Sequence, residues 1–330
     1  MIQGGLSGDC SDGHTEGPRQ MDFRDIAARL GPSLFRKRLQ RQADVAAQLI
    51  HQGEGPMIVE RVLPVDNIIA GLLRATGFNL RGFANCLAVT VVEREQHLAD
   101  LPRAFDGFRL LQLTDLHLDL VPGLGARVAD LVTRTPHDLA VITGDFADHP
   151  AGYFHDCLDD IRRISASLGP GTLVSLGNHD ILEIVPHLEE EGLRVLLNEN
   201  TAIERAGEKL WFAGIDDPHF YGTHDLEAAR RGIPQGACSI LLSHSPETFD
   251  EARHQGFSFM LSGHTHGGQI CLPGGLPIIR NGRCPTRMIR GAWEHGSLRG
   301  YTSRGTGACG VAARFNCPPE ITVHILRSKR

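Results

Sequence analysis

Five short apolar stretches in this 330-residue chain each run straight into residues able to bind a metal ion, and this coincidence constrains the fold most. FRLLQLT leads into Asp115 and His117, and DLAVITG into Asp145, with Asp148 three residues on. TLVSLG leads into Asn178, His179 and Asp180, CSILLS into His244, and FSFMLSG into His264 and His266. Such runs, rich in Leu, Val and Ile and bounded by glycine and polar residues, read as buried strands. In an open α/β sheet the loops beyond the carboxyl ends of the strands converge on one crevice. Strand ends of this kind would therefore gather their polar residues in one place.

After each of the first three runs, GLGARVADLVTRT, YFHDCLDDIRRISASL and ILEIVPHLEEEG in turn have helical spacing. Alternating strand and helix implies a partly parallel sheet covered by helices. After residue 194 the helices thin out, and RVLLN, KLWFAGI, CSILLSH, FSFMLSG, QICL, LRGYTSR and ITVHIL dominate. A second, more antiparallel sheet facing the first is the expectation. Upstream, Phe23, Ile26, Leu30, Leu34, Leu39, Leu49 and Ile50 recur at helical intervals, and Gly31-Pro32 divides this segment into two helices. Its basic cluster RKRLQR either packs on the main domain or lies on an anionic membrane surface. Residues 1–21 are polar and Gly-rich and read as a disordered leader, with Met21 a candidate start. Residues 22–105 then form a helical extension with a lead-in strand, and 106–330 the main domain.

A net charge of -6 offers no general attraction to nucleic acid, and aromatics at 6% provide little for stacking bases. No nucleic-acid partner is expected. No apolar run approaches the roughly 18 residues needed to span a bilayer, and no basic-then-apolar leader is visible. The eight cysteines are scattered without a C-x-x-C pair, which points to reduced thiols and a cytoplasmic setting.

Carboxylate oxygen, amide oxygen and neutral imidazole together suit Mn, Fe or Zn. Asp115, His117, Asp145, Asn178, His244, His264 and His266 are too many donors for one tetrahedral site. They fit two divalent ions about 3.5–4 Å apart that share a carboxylate and a bridging solvent molecule. Asp115 and His117 are two residues apart, as are His264 and His266, so on extended backbone each pair would face one side. Gly263, Gly267 and Gly268 would let backbone and substrate come close. Each element alone is weak, since a histidine in ILLSHSP more often packs than ligates. Their joint occurrence, in order and at strand ends, argues for a dinuclear site.

DLHLD, GDFAD, GNHD, SHSP and GHTHGGQ resemble, in this order, the five motif blocks of the calcineurin-like metallophosphoesterase superfamily. The likeness covers roughly residues 106–327. The closing GYTSRGTGACGVAARFNCPPEITVHIL is similar to the tail of a bacterial subgroup of phosphodiesterases and lipid-related hydrolases, typically peripheral to the cytoplasmic membrane. The resemblance implies an α/β fold, a four-layer α/β/β/α sandwich, here with a mostly helical N-terminal extension. It implies a first ion held by Asp115, His117 and His266, and a second by Asn178, His244 and His264, with Asp145 bridging. It implies that His179 is the catalytic acid, oriented by Asp180, with Asp148 a supporting partner rather than a ligand. The implied reaction is direct attack of a metal-bridging hydroxide on a phosphodiester or pyrophosphate bond, without a phosphoenzyme. The substrate would be lipid- or nucleotide-linked. The alternative is a non-catalytic scaffold that keeps the fold and presents a surface to partners.

Three further features stay open. Arg280, Arg283, Arg287, Arg290, Arg299 and Arg304 either bind substrate phosphate or form a solvated basic surface, with Arg304 the best single candidate. His219, His224, Asp216 and Asp217 either border the site or make a polar connection. ICLPGGLPII either accepts an acyl chain or dips into a bilayer, or packs beneath the second sheet.

Overall fold

The computed structural model describes residues 23–50, 65–149 and 153–328. The expected leader over 1–21, and with it Met21, lies outside the described residues. Helices α1 (Arg24–Leu30), α2 (Pro32–Ile50), α3 (Val65–Ala75) and α4 (Asn79–Leu87) precede strand β1 (Thr90–Leu98). The break between α1 and α2 falls at Gly31, whose φ of 77 a residue with a side chain would resist. Then follow β2 (Arg109–Leu113), α5 (Leu124–Thr133), β3 (Leu139–Thr143), α6 (Leu158–Leu168), β4 (Leu173–Ser175), α7 (Ile184–Glu190) and β5 (Arg194–Val195). The second half contains β6 (Glu199–Arg205), β7 (Glu208–Gly214), α8 (Leu226–Arg230), β8 (Ser239–Leu242), α9 (Phe249–His254) and β9 (Phe259–Ser262). It closes with β10 (Gly291–His295), β11 (Leu298–Thr302) and β12 (Glu320–Ser328).

Two six-stranded sheets result, ordered β1-β12-β2-β3-β4-β5 and β10-β11-β9-β8-β7-β6. Alternation along the strands shows how they stack. Leu110, Leu139 and Val141 join Phe212, Ile240, Leu242 and Phe259 in a core between the sheets. Their neighbours Leu111, Leu113, Ala140 and Ile142 face the other way and pack with residues of α1, α5, α6 and α7. Ala213, Leu241 and Met260 of the second sheet likewise meet α8 and α9 on its outer face. Period-two alternation on strands buried on both faces thus builds a four-layer α/β/β/α sandwich.

The second sheet is less antiparallel than expected. β7, β8, β9 and β11 run parallel, and only the edge pairs β6–β7 and β10–β11 are antiparallel. The crossovers use α8 and α9, of five and six residues, which are too short to leave a helical period in the sequence. QICL forms no strand and makes only the isolated bridges at Ile270 and Cys271.

The extension docks on the layers formed by the two sheets. Arg38, inside the basic cluster, is fully buried and bonds Asp216 Oδ2 at 3.1 Å and the Asp180 carbonyl at 2.7 Å. Its guanidinium lies 3.2 Å from the Tyr221 ring centroid. That residue at least packs rather than meeting a membrane. Among the described residues no helix is long and apolar enough to cross one.

Candidate metal centre

The crevice lies beyond the carboxyl ends of β2, β3, β4, β8 and β9, and the main chain there is strained. Asp115, His117, Asp145, His264 and His266 have φ of 52, 41, 60, 68 and 49. For residues with side chains this left-handed backbone costs about 1–3 kcal/mol each and persists only where the surroundings enforce it. Hydrogen bonds between loops do so here. Asp115 N–H donates to the Gly144 carbonyl at 3.0 Å, Leu116 N–H to Asp145 at 2.7 Å and Gly263 N–H to His244 at 2.8 Å. Asp115 Oδ1 accepts the His264 N–H at 2.8 Å, and Asp145 Oδ1 accepts the His179 N–H at 2.9 Å.

The paired ligands therefore do not project from extended strand, as the two-residue spacing suggested. β2 ends at Leu113 and β9 at Ser262, before either pair. Asp115, His117 and His266 nevertheless converge: His117 Nε2 is 3.2 Å from His266 Nε2, which is 3.4 Å from Asp115 Oδ1. Asp145 Oδ2 lies 3.7 Å from His117 Nε2 and 3.1 Å from His244 Nε2. His264 Nδ1 sits 2.8 Å from Asn178 Oδ1. All seven residues expected as ligands are thus in one crevice, in two adjoining groups.

Buried polar atoms here are short of partners. Asp115 Oδ2 and His264 Nε2 have no hydrogen-bond partner among the described residues, and His117 Nδ1 and His244 Nε2 face only the carboxylates of Asp148 and Asp145. Such atoms cost about 1–3 kcal/mol each when unmet, so an oxygen- and nitrogen-lined crevice that leaves several facing inward fits divalent cations. His244 Nδ1 donates to the Thr143 carbonyl at 2.7 Å and thereby turns Nε2 into the crevice, toward Asp145. Close approach of the loops leaves no room for side chains at two glycines. A Cβ at Gly263 would lie 2.4 Å from Asp115 Oδ2, and one at Gly177 2.2 Å from Asp145 Oδ1.

Burial and the neighbouring carboxylates set the electrostatics of the crevice. Burial and then the Asp145 carboxylate raise Asp115 to about 6, although His244 opposes them. Burial lowers His117 to about 4 and holds His264 and His266 well below the ordinary imidazole value. His244 goes the other way: burial works against its charge, but Asp145 and Asp115 outweigh that and lift it to about 10.

His179 stands at the mouth. Its Nδ1 bonds the Asp148 carbonyl, and its ring meets that of His117 edge-on at 5.0 Å between centroids. Asp180 does not orient this ring. Its buried carboxylate accepts the N–H groups of Asp145, Phe146 and Gly177 at 2.8, 2.9 and 2.8 Å, so it holds the loops beneath the site. Asp148 Oδ1 lies 3.4 Å from His117 Nδ1 and supports that imidazole.

Sequence reading missed one neighbour, Arg314, and left His219 and Arg304 open. Arg314 is fully buried, donates to the carbonyls of Gly307 at 2.7 Å and Arg304 at 2.8 Å, and reaches His266 Nδ1 at 3.2 Å. Nothing in its local sequence distinguishes it from a surface arginine. His219 is at the site rather than in a remote connection: Glu247 holds its Nδ1 at 2.8 Å, and its ring is 4.1 Å from that of His264. Arg304 is tied to Glu320 by its Nε at 2.7 Å and does not stand ready for a phosphate.

Residues 108–268, which span all five strand ends, match the model of the calcineurin-like phosphoesterase family. YkuE of Bacillus subtilis, an uncharacterised metallophosphoesterase, is 32% identical over 277 residues, covering 79% of this chain and 94% of that protein. YkoQ of the same organism, also an uncharacterised metallophosphoesterase, is 30% identical over 231 residues, 65% of this chain and 82% of its own. The Escherichia coli phosphodiesterase YaeI is 28% identical over 228 residues, 66% of this chain and 81% of that one. A relative nearly a third identical along almost its entire length, joined to a ligand-lined crevice at the matching strand ends, makes the conclusion plain: this chain belongs to the calcineurin-like metallophosphoesterase family, enzymes that hydrolyse phosphoric esters with divalent metals.

Proposed function

We propose that this hydrolase cleaves a phosphodiester or pyrophosphate bond with two divalent ions of the Mn, Fe or Zn type. Asp115, His117 and His266 would hold one ion, and Asn178, His244 and His264 the other, with Asp145 shared. The observation that carries this reading is the pair of adjoining groups, Asp115–His117–His266 and Asp115–Asp145–His244, whose ligand atoms lie within 4.8 Å of one another. Bound, the ions would supply an activated solvent nucleophile and offset charge on the phosphoryl oxygens. The chain provides the proton. With Nδ1 of His179 bonded to the Asp148 carbonyl, Nε2 is the nitrogen that would meet a leaving oxygen and protonate it.

An amphiphilic substrate, met at the inner face of the cytoplasmic membrane, is the form of the proposal we favour. Leu272, Leu276, Ile278 and Ile279, directly after the histidine turn, are 48, 63, 59 and 42% exposed. Their loop touches that turn, since a Cβ at Gly268 would lie 2.3 Å from Pro277 Cβ. Ile68 and Leu72 of α3, Phe78 just before α4 and Leu80 of α4 are exposed too, and Phe78 reaches the loop through Phe315. The Phe315 ring meets Phe78 at 6.1 Å, and its carbonyl accepts Cys271 N–H at 2.9 Å. Clustered exposed apolar residues of this kind mark an interaction site.

The test is hydrolysis by Mn-loaded protein of bis-p-nitrophenyl phosphate against p-nitrophenyl phosphate. Preference for the diester is expected. No turnover of either, with two ions bound per chain, would overturn the proposal in favour of a scaffold.

A further inference from the structure

Four potential ligands from four different loops, His117, Asp148, His179 and Cys309, stand within 4.8 Å of one another at the rim of the crevice. His117 already faces the dinuclear centre through Nε2 and Asp148 through Nδ1. The other three remain. Cys309 Sγ is 3.8 Å from His179 Nε2. In a tetrahedral zinc site, bonds of ≈ 2.3 Å to sulfur and ≈ 2.0–2.1 Å to nitrogen place those two atoms about 3.5–3.6 Å apart. Only a few tenths of an ångström separate the observed pair from that spacing.

The main chain fixes all three groups. Cys309 N–H donates to Gln269 Oε1 at 2.8 Å, Gly310 N–H to Asp148 Oδ1 at 3.0 Å, and the His179 ring is tied to the Asp148 carbonyl. Asp148 is buried, whereas His179 and Cys309 are half-buried, so an ion and its water can enter from one side.

We propose that Asp148, His179 and Cys309 form a third cation site, selective for a borderline-soft ion such as zinc, and that its occupation inhibits the enzyme. A thiolate favours zinc over manganese, so manganese would load the dinuclear centre and pass this site by. As the ion binds, the Cys309 thiol proton and the proton on His179 Nε2 both leave to solvent. The ion then sits on His179 Nε2, and the leaving oxygen loses its proton donor. This inhibitory consequence rests on His179 acting as the acid; the binding itself does not.

The experiment uses the Mn-loaded full chain with cobalt(II) as optical probe and zinc(II) as inhibitor. The ligands of the dinuclear centre are oxygen and nitrogen only, so a thiolate-to-cobalt charge-transfer band reports Cys309 even if cobalt exchanges elsewhere. We expect the band to saturate at one thiolate-bound cobalt per chain and to be absent in Cys309→Ser and Cys309→Ala. Both variants should match wild type without zinc and need at least about tenfold more zinc for half-inhibition. No band in wild type, or a band that survives in both variants, overturns the site. A band on Cys309 with no inhibition by zinc overturns the inhibitory half and the acid role of His179 with it. If no phosphoester is turned over, the optical result still decides the site separately from the proposed hydrolase activity.

Discussion

Replacing Arg38 with alanine would leave the Asp216 carboxylate in a place with no access to water. Both side chains of this pair are 0% exposed and their atoms meet at 3.1 Å. After substitution, Asp216 keeps the Thr223 hydroxyl at 2.6 Å, but its charge goes unanswered. Removing one member of a buried pair typically costs about 3–5 kcal/mol. The carbonyl of Asp180 also loses its donor at 2.7 Å, and Tyr221 the cation over its ring. With about 2.1 cal/mol/K of unfolding entropy per residue over 330 residues, this corresponds to a fall in Tm of roughly 4–7 °C if the chain melts as one unit. Calorimetry of Arg38→Ala reads it directly. The doubly substituted Arg38→Met, Asp216→Leu protein serves as control, because replacing a whole buried pair by apolar groups is often neutral. The reasoning fails if Arg38→Ala melts within about 1 °C of wild type, or if the double variant falls as far as the single one.

His179→Ala should lower kcat by about 10²–10⁴-fold while two metal ions stay bound, measured by turnover and elemental analysis; metal loss would make the residue a ligand instead. In Gly177→Ala the new methyl would press on Asp145 Oδ1, so fewer than two ions per chain and a loss of about 10²-fold in activity are expected, with circular dichroism unchanged. The metal-free protein should hold a proton on His244 at pH 7. Its pKa is raised from 6.5 to about 10, so the stability it lends is complete below about 6.5 and disappears as pH rises through about 10. Cations must displace that proton, so affinity should climb with pH, and calorimetry in buffers of different ionisation enthalpy should detect proton release; pH-independent binding would contradict this. Arg304→Ala should leave KM for the diester unaltered, because Glu320 already occupies that guanidinium.

What was legible in the chain was the outcome of local rules. Runs such as LLQL and AVIT announce strands because burial on both faces demands continuous apolar side chains, and the polar residues closing them had to meet at one edge. Backbone conformation was not legible. Nothing in D-L-H or H-T-H tells extended chain from the left-handed turns seen at Asp115, His117, His264 and His266, because long-range hydrogen bonds hold that strain. Nor was the direction of the second sheet, whose crossovers ride on helices of five and six residues. Arg314 and Arg38 escaped notice for a related reason: an arginine in a polar stretch reads as solvated until tertiary contacts remove its water.

β12, from Glu320 to Ser328, inserts between β1 and β2, pairing with one in parallel and the other antiparallel. All seven residues expected as metal ligands are synthesised by position 266, yet β2 has no neighbour on one side until β12 has been made. The ribosome thus delivers a nascent chain holding all its ligands but lacking the strand that joins the amino-terminal segment to the rest. Until then the open flanks of β1 and β2 are surfaces a chaperone would have to shield, and shortening the chain before Ser328 should yield aggregates rather than a weakened enzyme.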